Sequence, residues 1–345
     1  MTKFLITGGA GFTGINFVRR YLDRGDEVVI FDNLSRAGCL ENLIWLREVS
    51  SQERLKLIVG DVRMPPFSLQ AEVESADALL HFAGQVAVTT SVADPREDFE
   101  VNALGTFNML ELLRSSQGKQ PPFLFSSTNK VYGGMEDVAT VEGEHRYAYR
   151  DLPQGVSEDR PLDFHSPYGC SKGAADQYVR DYSRIFGVRS VVLRQSCIYG
   201  YRQFGIEDQG WVAWFTIAAV LGRKITIFGD GKQVRDVLFI DDLVAAYDQA
   251  LEHIEGTSGG VYNVGGGPAN TISLLELLRF LGEELGHEIP VRFADWRPGD
   301  QPIYVSDIRR AGSEFGWSPQ VSWKDGVGRL LEWVQANQDM LERLL

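Results

Sequence analysis

The first half of the chain alternates short apolar runs with amphipathic segments. Apolar runs of strand length have the sequences KFLITG, EVVIFD, LKLIVGD, ADALLHFAG and PPFLFSST. Helical spacing of apolar residues begins near Phe12, Leu40 and Pro95, and the last helix is predicted to include DFEVNALGTFNMLELLRSS. A further strand, RSVVLRQS, follows a helix predicted to begin near Tyr168. This alternation predicts an α/β fold of the Rossmann type, a doubly wound parallel sheet covered by helices.

The regular alternation loosens after Gly200. Three segments are predicted to be helical, GWVAWFTIAAVLG, ISLLELLRFLGEELG and WKDGVGRLLEWVQANQ, and KITIFGDGKQVRDVLFIDD is predicted to form a strand, a turn and a second strand. We therefore expect a sheet domain in residues 1–195, with parts of 236–265 returning to it. Residues 196–345 are expected to form mainly a smaller, interleaved substrate-binding region, with a cleft at the junction.

A long polar segment separates Tyr132 from Tyr168. Its sequence, GGMEDVATVEGEHRYAYRDLPQGVSEDRPLDFHSP, is rich in glycine, proline and charge. A loop of this length inside a compact domain is usually a functional lid or a disordered linker. Because the segment ends at a candidate catalytic residue, we expect it to lie over a site.

Composition and charge narrow the class of protein. Hydrophobic residues make up 44% of the 345 residues, and no apolar run approaches the ~20 residues that a membrane helix needs. Because the chain begins directly with a strand and a glycine-rich loop, we expect no export signal, a cytoplasmic location and no membrane partner. With 34 basic and 47 acidic residues, the net charge of −13 argues against a nucleic-acid partner.

The chain contains three cysteines, Cys39, Cys170 and Cys197. Their number and spacing support neither a disulfide framework nor a zinc site. We therefore expect no metal, and we expect the cysteines to be buried small apolar residues.

A glycine-rich loop follows the first strand. The sequence TGGAGFTG places Gly8, Gly11 and Gly14 three residues apart, between a predicted strand and a predicted helix. Glycine allows a sharp turn and the close approach of a pyrophosphate, and the helix N-terminus supplies N–H donors. A glycine triplet alone is a weak signal, but this strand and helix context is the one that a dinucleotide site requires. Residues 1–195 are therefore predicted to bind a dinucleotide.

The second strand ends in VVIFDNLSR and places Asp32 where a carboxylate can accept hydrogen bonds from the adenosine ribose. That carboxylate would repel the additional phosphate of NADP and favours NAD, although Arg36 leaves NADP open. Polar segments after the third and fourth strands, GDVR and HFAG, are expected beside the adenine and ribose. The expected cofactor contacts are Gly8, Gly11, Phe12, Thr13, Gly14, Asp32, Asn33, Ser35, Arg36, Asp61, Val62, Phe82, Ala83, Gly84, Asn102, Ser126, Tyr168 and Lys172.

Tyr168 and Lys172 stand four residues apart near the start of a predicted helix, so their side chains share one face. A tyrosine hydroxyl has a pKa near 10, and a nearby ammonium or positively charged nicotinamide ring favours its phenolate form. Thr128, at the end of the fifth strand, is placed to hydrogen-bond the substrate oxygen that the tyrosine deprotonates. Together the three residues predict a hydride-transfer site.

These motifs together resemble a known family. The sequences TGGAGFTG, SSTNKVYG and SPYGCSK, with the strand that ends at Asp32, are similar to the extended short-chain dehydrogenase/reductase family of nucleotide-sugar epimerases and dehydratases. Within it, DNLSRAG, AGQVAVTTS, DFHSPYGCSKGAADQY, YRQF, DQGWVAWF and GDGKQVRDVL resemble the CDP-tyvelose 2-epimerase group. The resemblance implies an NAD-dependent isomerase that inverts carbon 2 of a nucleotide sugar, converting CDP-paratose to CDP-tyvelose for bacterial surface polysaccharide. It also implies a homodimer or homotetramer.

The resemblance assigns roles to individual residues. Tyr168 would be the base and then the acid, Lys172 would lower its pKa and hold the nicotinamide ribose, and Thr128 would bind the reacting oxygen. Family arginines that grip the substrate diphosphate match Arg235 and Arg297. The full expected substrate-binding set, which adds residues near the predicted pocket, is Gln85, Thr128, His165, Gln203, Arg235 and Arg297. Two tryptophans, Trp211 and Trp214, are also candidates, although such a pair is more often part of a core.

Three alternatives remain open. Dehydratases of the family carry an aspartate and a glutamate directly after the active-site threonine, whereas this chain has Asn129 and Lys130, which argues against elimination of water. An epimerase acting at carbon 4 is compatible with the same residues, because sugar orientation decides which carbon meets the nicotinamide. A non-catalytic dinucleotide-binding protein would not need Thr128, Tyr168 and Lys172 together. The resemblance to the CDP-tyvelose 2-epimerase group is what makes epimerisation at carbon 2 the preferred hypothesis.

Overall fold

The structure is a computed structural model that describes residues 1–297 and 300–345. Its strands are β1 (Lys3–Thr7), β2 (Glu27–Asp32), β3 (Leu55–Val59), β4 (Ala78–His81), β5 (Phe123–Thr128), β6 (Thr140–Glu142), β7 (Tyr147–Tyr149), β8 (Ser190–Gln195), β9 (Ile198–Tyr199), β10 (Ile225–Phe228), β11 (Val234–Asp236), β12 (Leu238–Phe239), β13 (Val261–Val264), β14 (Thr271–Ser273), β15 (Val291–Ala294) and β16 (Ile303–Tyr304).

The helices are α1 (Phe12–Asp23), α2 (Cys39–Val49), α3 (Leu69–Ser75), α4 (Val88–Ala93), α5 (Pro95–Phe99), α6 (Gly105–Ser115), α7 (Ser166–Phe186), α8 (Trp211–Val220), α9 (Ile240–Glu252), α10 (Ile254–Thr257), α11 (Leu274–Leu285), α12 (Arg309–Phe315), α13 (Trp323–Ala336) and α14 (Gln338–Leu344). A π-helical turn occupies Glu100–Leu104, and 3-10 turns occupy Asn129–Tyr132 and Pro268–Asn270.

Seven strands form one parallel sheet in the order β13-β8-β5-β4-β1-β2-β3. Its central strands β1, β4 and β5 are almost entirely buried because helices cover both faces of the sheet. The strand order reverses between β1 and β4, and ligands of open α/β sheets bind at the carboxyl ends of the strands at such a point. The prediction of a Rossmann-type, doubly wound parallel sheet is confirmed.

After β8 the chain builds a smaller region from short sheets. β10 pairs with β15, β11 pairs with β14 and β16, and β12 pairs with β9. The segment KITIFGDGKQVRDVLFIDD therefore contains three short strands in three sheets, and the predicted second strand is divided into β11 and β12. β13 lies in the large sheet beside β8, which places a strand from residues 236–265 back in the sheet. The division of the chain into domains at residue 195 stays a prediction.

The helix predicted from Pro95 onward is interrupted. The π-helical turn Glu100–Leu104 separates α5 from α6, and turns of this kind are frequent at functional sites. Asn102 is buried in this turn, and its Nδ2 donates to the backbone oxygen of Gln85 at 3.0 Å. The interruption therefore directs Asn102 to the loop that follows β4.

The segment between Tyr132 and Tyr168 contains an antiparallel hairpin of β6 and β7. The hairpin is bonded to the smaller region, since Tyr147 Oη donates to Asp230 Oδ2 at 2.6 Å and Tyr149 Oη donates to the Ile303 oxygen at 3.2 Å. The segment is thus partly regular and anchored. Its expected role over a site stays a prediction.

The cysteines differ in burial. Cys39 is buried and Cys197 is partly buried, but Cys170 is exposed, so the expectation of burial was wrong for Cys170. Two positions from Tyr168 and from Lys172, Cys170 lies on the opposite face of the helix, which meets solvent. In the described part of the chain, no group of His, Cys, Asp and Glu could hold a metal ion. No helix among the described residues is long and apolar enough to cross a bilayer.

Candidate active site

The glycine loop makes a tight turn between β1 and α1. Gly8 has a φ of 68°, and an added Cβ on Gly14 would lie 2.3 Å from the Gly8 oxygen, so both positions require glycine. Among the described residues, an added Cβ at Gly11 would meet only the Gly8 oxygen, at 3.4 Å, which leaves room above the loop. No side chain of the described residues caps the start of α1, so its first N–H groups are available. The loop, including Phe12 and Thr13, fits a pyrophosphate.

Asp32 ends β2 beside this loop. Its Oδ2 accepts from the Ala10 N–H at 3.0 Å and its Oδ1 accepts from the Leu34 N–H at 2.8 Å. Burial raises the pKa of the Asp32 carboxyl, and these N–H groups oppose the shift. The carboxyl is therefore held where dinucleotide sites bind a ribose hydroxyl.

Polar residues from the next two loops extend this edge. Asn33 Nδ2 donates to Asp61 Oδ2 at 3.0 Å, and bonds from Arg63 lower the pKa of Asp61 to about 2. Arg36 is exposed and donates to the side chain of Gln209. Two further predicted contacts lie on the same loops, Ser35 exposed and Val62 buried.

The loop after β4 crosses close to the glycine loop. An added Cβ on Gly8 would lie 2.6 Å from the Ala83 nitrogen, and the Phe82 N–H donates to the Thr7 oxygen at 3.0 Å. An added Cβ on Gly84 would lie 3.0 Å from Asn102 Oδ1. The structure thus brings these predicted cofactor residues to one end of the sheet.

Thr128 and Tyr168 meet at the carboxyl end of β5. Thr128 is the last residue of β5 and Tyr168 lies in the first turn of α7, and both are buried. Burial raises the pKa of the Tyr168 hydroxyl, and a hydrogen bond with Thr128 opposes that shift. The Tyr168 N–H donates to Ser91 Oγ at 3.1 Å, which attaches the start of α7 to α4.

Lys172 lies one helical turn after Tyr168. Its ammonium donates to the Ser126 oxygen and lies 4.4 Å from the centroid of the Phe125 ring. Burial lowers the pKa of Lys172 to about 8, and Asp176 and other negative charge oppose the shift. In the structure the ammonium therefore bonds the end of β5 rather than the Tyr168 hydroxyl. The group whose hydrogen bond favours the phenolate is Thr128.

Sequence reasoning missed a buried network behind these residues. Asp176 lies one turn after Lys172 and pairs with Arg194 through hydrogen bonds of 2.9 and 3.0 Å. Asp176 also accepts from Ser127 Oγ at 2.7 Å, and Arg194 donates to Tyr132 Oη at 3.0 Å. The network joins β5, α7 and β8 behind the reactive side chains. The available signal was the spacing of four between Lys172 and Asp176, on the same helical face.

A second group that sequence reasoning missed surrounds Asp98. Its carboxylate accepts from the Ser171 hydroxyl, from Asn102 Nδ2 at 3.1 Å and from Gln85 Nε2 at 3.2 Å. Burial raises the pKa of Asp98. Gln85 also donates to the Ala87 oxygen at 2.7 Å, so its amide, predicted to bind substrate, is engaged within the protein.

The two predicted diphosphate arginines lie in the smaller region. Arg235 is in β11, and its Nη1 donates to the Val234 oxygen at 2.8 Å. Arg297 pairs with Asp208 at 2.8 Å, and its guanidinium lies 3.8 Å from the centroid of the Phe228 ring. A diphosphate bound by Arg297 would therefore compete with the Asp208 carboxylate.

The remaining predicted substrate residues lie in different surroundings. His165 precedes α7, is exposed and pairs with Asp163 at 3.2 Å. Gln203 lines a cleft with Gly11 and Arg36, which places it on the side of the glycine loop. Trp211 and Trp214 pack against the large apolar core. The Gln203 Oε1 and Trp214 Nε1 atoms are buried without a hydrogen-bond partner among the described residues, which is a reason to consider a ligand nearby.

Comparison with known proteins gives independent information. A family model with the description NAD dependent epimerase/dehydratase family matches residues 4–265. The chain is 44% identical over 342 residues to a CDP-paratose 2-epimerase of Salmonella typhi, covering 97% of this chain and 99% of that protein.

Solved structures agree with this result. A dTDP-glucose 4,6-dehydratase from Streptomyces venezuelae, solved with NAD, superposes with a TM-score of 0.84 at 30% identity, covering 99% of this chain and 100% of that one. A UDP-glucuronic acid 4-epimerase from Bacillus cereus, solved with UDP-glucuronic acid and NAD, gives a TM-score of 0.82 at 27% identity, covering 97% and 99%. Both the fold and the arrangement of strands are thus similar to those of enzymes solved with NAD.

Proposed function

Because the chain belongs to the NAD dependent epimerase/dehydratase family, we propose that it inverts carbon 2 of a CDP-linked sugar and converts CDP-paratose to CDP-tyvelose. The observation that carries the proposal is the 44% identity to a CDP-paratose 2-epimerase over nearly the whole of both chains. The placement of Thr128 and Tyr168 at the carboxyl end of β5, on the edge of the sheet where ligands of open α/β sheets bind, supports it.

The residues of the glycine loop fit the dinucleotide. In our proposal, the N–H groups at the start of α1 bind the pyrophosphate, and Asp32 accepts from the adenosine ribose. Lys172, fixed by the Ser126 oxygen, holds the nicotinamide ribose. NAD supplies a carbon centre that accepts a hydride from the sugar and returns it.

Tyr168 and Thr128 would mediate the transfer of the proton from the substrate hydroxyl group. The Tyr168 oxygen takes the proton of the hydroxyl group on carbon 2 as the hydride leaves, and it returns the proton when the hydride comes back. The Thr128 hydroxyl binds the same substrate oxygen, and its hydrogen bond favours the phenolate form of Tyr168 before the first transfer and after the second. The intermediate is a ketone at carbon 2, and inversion requires that its opposite face is presented for the return of the hydride.

Two other reactions of the family are less well supported. A dehydratase needs acidic groups after the threonine, and this chain has Asn129 and Lys130 there. Inversion at carbon 4 uses the same three catalytic residues, and a 4-epimerase is among the similar solved structures. The position of the sugar relative to Tyr168 is what separates carbon 2 from carbon 4.

Isotopic labelling tests the proposal. CDP-paratose with deuterium at carbon 2 is incubated with the purified protein without added NAD, and the product is analysed by NMR. We expect CDP-tyvelose that keeps the deuterium at carbon 2. Exchange of the label with water would exclude hydride transfer within the site, and inversion at carbon 4 would refute the choice of carbon.

The assembly and location are part of the proposal. From the resemblance we propose a homodimer or homotetramer in the cytoplasm. Light scattering on the purified protein measures the mass of the assembly, and fractionation of the producing cells measures its location. A monomer, or recovery in the membrane fraction, would contradict these two predictions.

A further inference from the structure

Lys130 lies beside the reactive residues, although the proposed mechanism does not use it. It is the second residue after Thr128, in the 3-10 turn Asn129–Tyr132 at the carboxyl end of β5. Its N–H donates to Thr128 Oγ1 at 3.2 Å, and its side chain is half-buried. A cation therefore stands where the dehydratases of the family have a carboxylate.

The turn that carries Lys130 is held against the smaller region on two sides. On one side, Asn129 Nδ2 donates to Ser196 Oγ at 3.5 Å, and Ser196 Oγ donates to Asp236 Oδ1 at 2.6 Å. On the other side, the Gln301 amide donates to the Gly133 oxygen. Because Asp236 directly follows Arg235 in β11, these contacts bring the turn close to Arg235.

The charges near the Lys130 ammonium are unbalanced. Burial and the positive charge of Arg235 lower the pKa of Lys130 to about 8, and the exposed Asp300 opposes the shift. Among the described residues, the Lys130 ammonium has no hydrogen-bond partner, and the Arg235 guanidinium donates to the backbone oxygen of Val234. An anion bound between Lys130 and Arg235 would relieve both the burial and the repulsion.

We infer that Lys130 binds the diphosphate of the nucleotide sugar together with Arg235 and thereby places carbon 2, rather than carbon 4, at Tyr168 and Thr128. The inference rests on the proposed function. The diphosphate is attached to carbon 1 of the sugar, so carbon 2 is its direct neighbour and carbon 4 lies two carbons farther. A diphosphate bound two residues from Thr128 would lie a short distance from the reaction centre. This short distance matches carbon 2 better than carbon 4.

Calorimetric titration with CDP tests the contact. In the full-length chain, Lys130→Met is expected to weaken CDP binding by about tenfold or more, because a half-buried charge partner is lost, and Lys130→Arg is expected to stay within about threefold. Lys224→Met removes an exposed lysine in the loop before β10 and should leave the affinity unchanged. Lys130→Gln provides a second neutral variant if Lys130→Met loses its near-UV circular dichroism. Wild-type affinity in a folded neutral variant would overturn the inference.

Turnover measurements test whether Lys130 positions carbon 2 for reaction. With saturating CDP-paratose, the neutral variants should invert carbon 2 about tenfold or more slowly than wild type, while the NAD content is unchanged. A neutral variant with the wild-type kcat would show that Lys130 does not place carbon 2. The same titrations with UDP and dTDP identify the preferred base, and failure of the wild-type protein to bind any of the three nucleotides would also overturn the inference.

These outcomes distinguish failure of the proposed function from failure of the inference about Lys130. If the wild-type protein inverts carbon 4, or turns over no CDP-sugar, the proposed function fails, and the inferred placement of carbon 2 fails with it. The comparison of CDP affinities between Lys130→Met and wild type still decides the diphosphate contact. If the wild type inverts carbon 2 and the lysine variants match it, only the inference about Lys130 fails.

Discussion

The two sides of the candidate cleft are held in different ways. On the side of the large sheet, Thr128, Tyr168 and Lys172 are at most 8% exposed, and a buried ion pair lies behind them. On the side of the smaller region, Arg297 is held by Asp208, whose side chain is 47% exposed. Proton and hydride transfer need fixed distances, which buried hydrogen bonds provide, whereas substrate must enter and leave. An exposed ion pair is weak and can be exchanged for a substrate phosphate.

Loss of the reactive hydroxyl should have the largest effect. Tyr168→Phe is expected to lower the rate of epimerisation at carbon 2 by about 10³-fold, because the proton of the substrate hydroxyl loses its acceptor. The amount of NAD released on denaturation should not change, since Lys172 and the glycine loop are intact. Tyr178→Phe, on the exposed surface of the same helix, is the control. A rate above about a tenth of wild type for Tyr168→Phe would show that another group moves the proton.

Removing one partner of the buried ion pair behind the site should lower the free energy of unfolding more than removing an exposed charge, because the remaining charge is buried without its partner. Asp176→Asn leaves the guanidinium of Arg194, which is 2% exposed, without its carboxylate, and we expect a loss of about 3 to 5 kcal/mol in the free energy of unfolding. Urea denaturation measures this loss. Asp181→Asn, at an exposed position of α7, should change it by less than about 0.5 kcal/mol. Equal losses in the two variants would mean that the pair does not stabilise this side of the cleft.

Burial of Lys172 predicts a dependence of stability on pH. Its pKa is about 8 in the folded chain against 10.5 for the unperturbed group, so the unfolded chain binds more protons between these values. The contribution of Lys172 to the free energy of unfolding therefore rises as pH increases from about 8 to about 10.5. The wild type should gain free energy of unfolding relative to Lys172→Met across this window, as measured by urea denaturation at several pH values. A constant difference between the two proteins would contradict burial of the ammonium.

Breaking the ion pair between Arg297 and Asp208 should give the smallest effect. Asp208→Asn removes the carboxylate that competes with substrate for Arg297, and we expect KM for CDP-paratose to fall by about two- to threefold. Glu207→Gln is the matched control, because Arg297 contacts the backbone oxygen of Glu207 and not its carboxylate. Steady-state kinetics measures both variants. An increase in KM for Asp208→Asn would indicate that the ion pair organises the site and does not compete with substrate.

The sequence by itself determined the features that depend on neighbouring residues. The strands and helices of the first half, the glycine loop and the position of Asp32 follow from periodicity and from short spacings, which local interactions decide. The pair Tyr168 and Lys172 could be recognised for the same reason. Similarity to a known family then added the reaction, because residues that bind one substrate recur as motifs along the chain.

Only the tertiary structure decided which distant residues meet. Arg194 in β8 pairs with Asp176 in α7, and Arg297 pairs with Asp208, which is distant from it in sequence. The turn that contains Lys130 is connected to β11 by hydrogen bonds through Ser196. Such contacts depend on how the sheet and the smaller region pack, and no local pattern encodes them. The same packing set the burial that lowers the pKa of Lys172 and left Cys170 exposed, since burial is a property of the assembled fold.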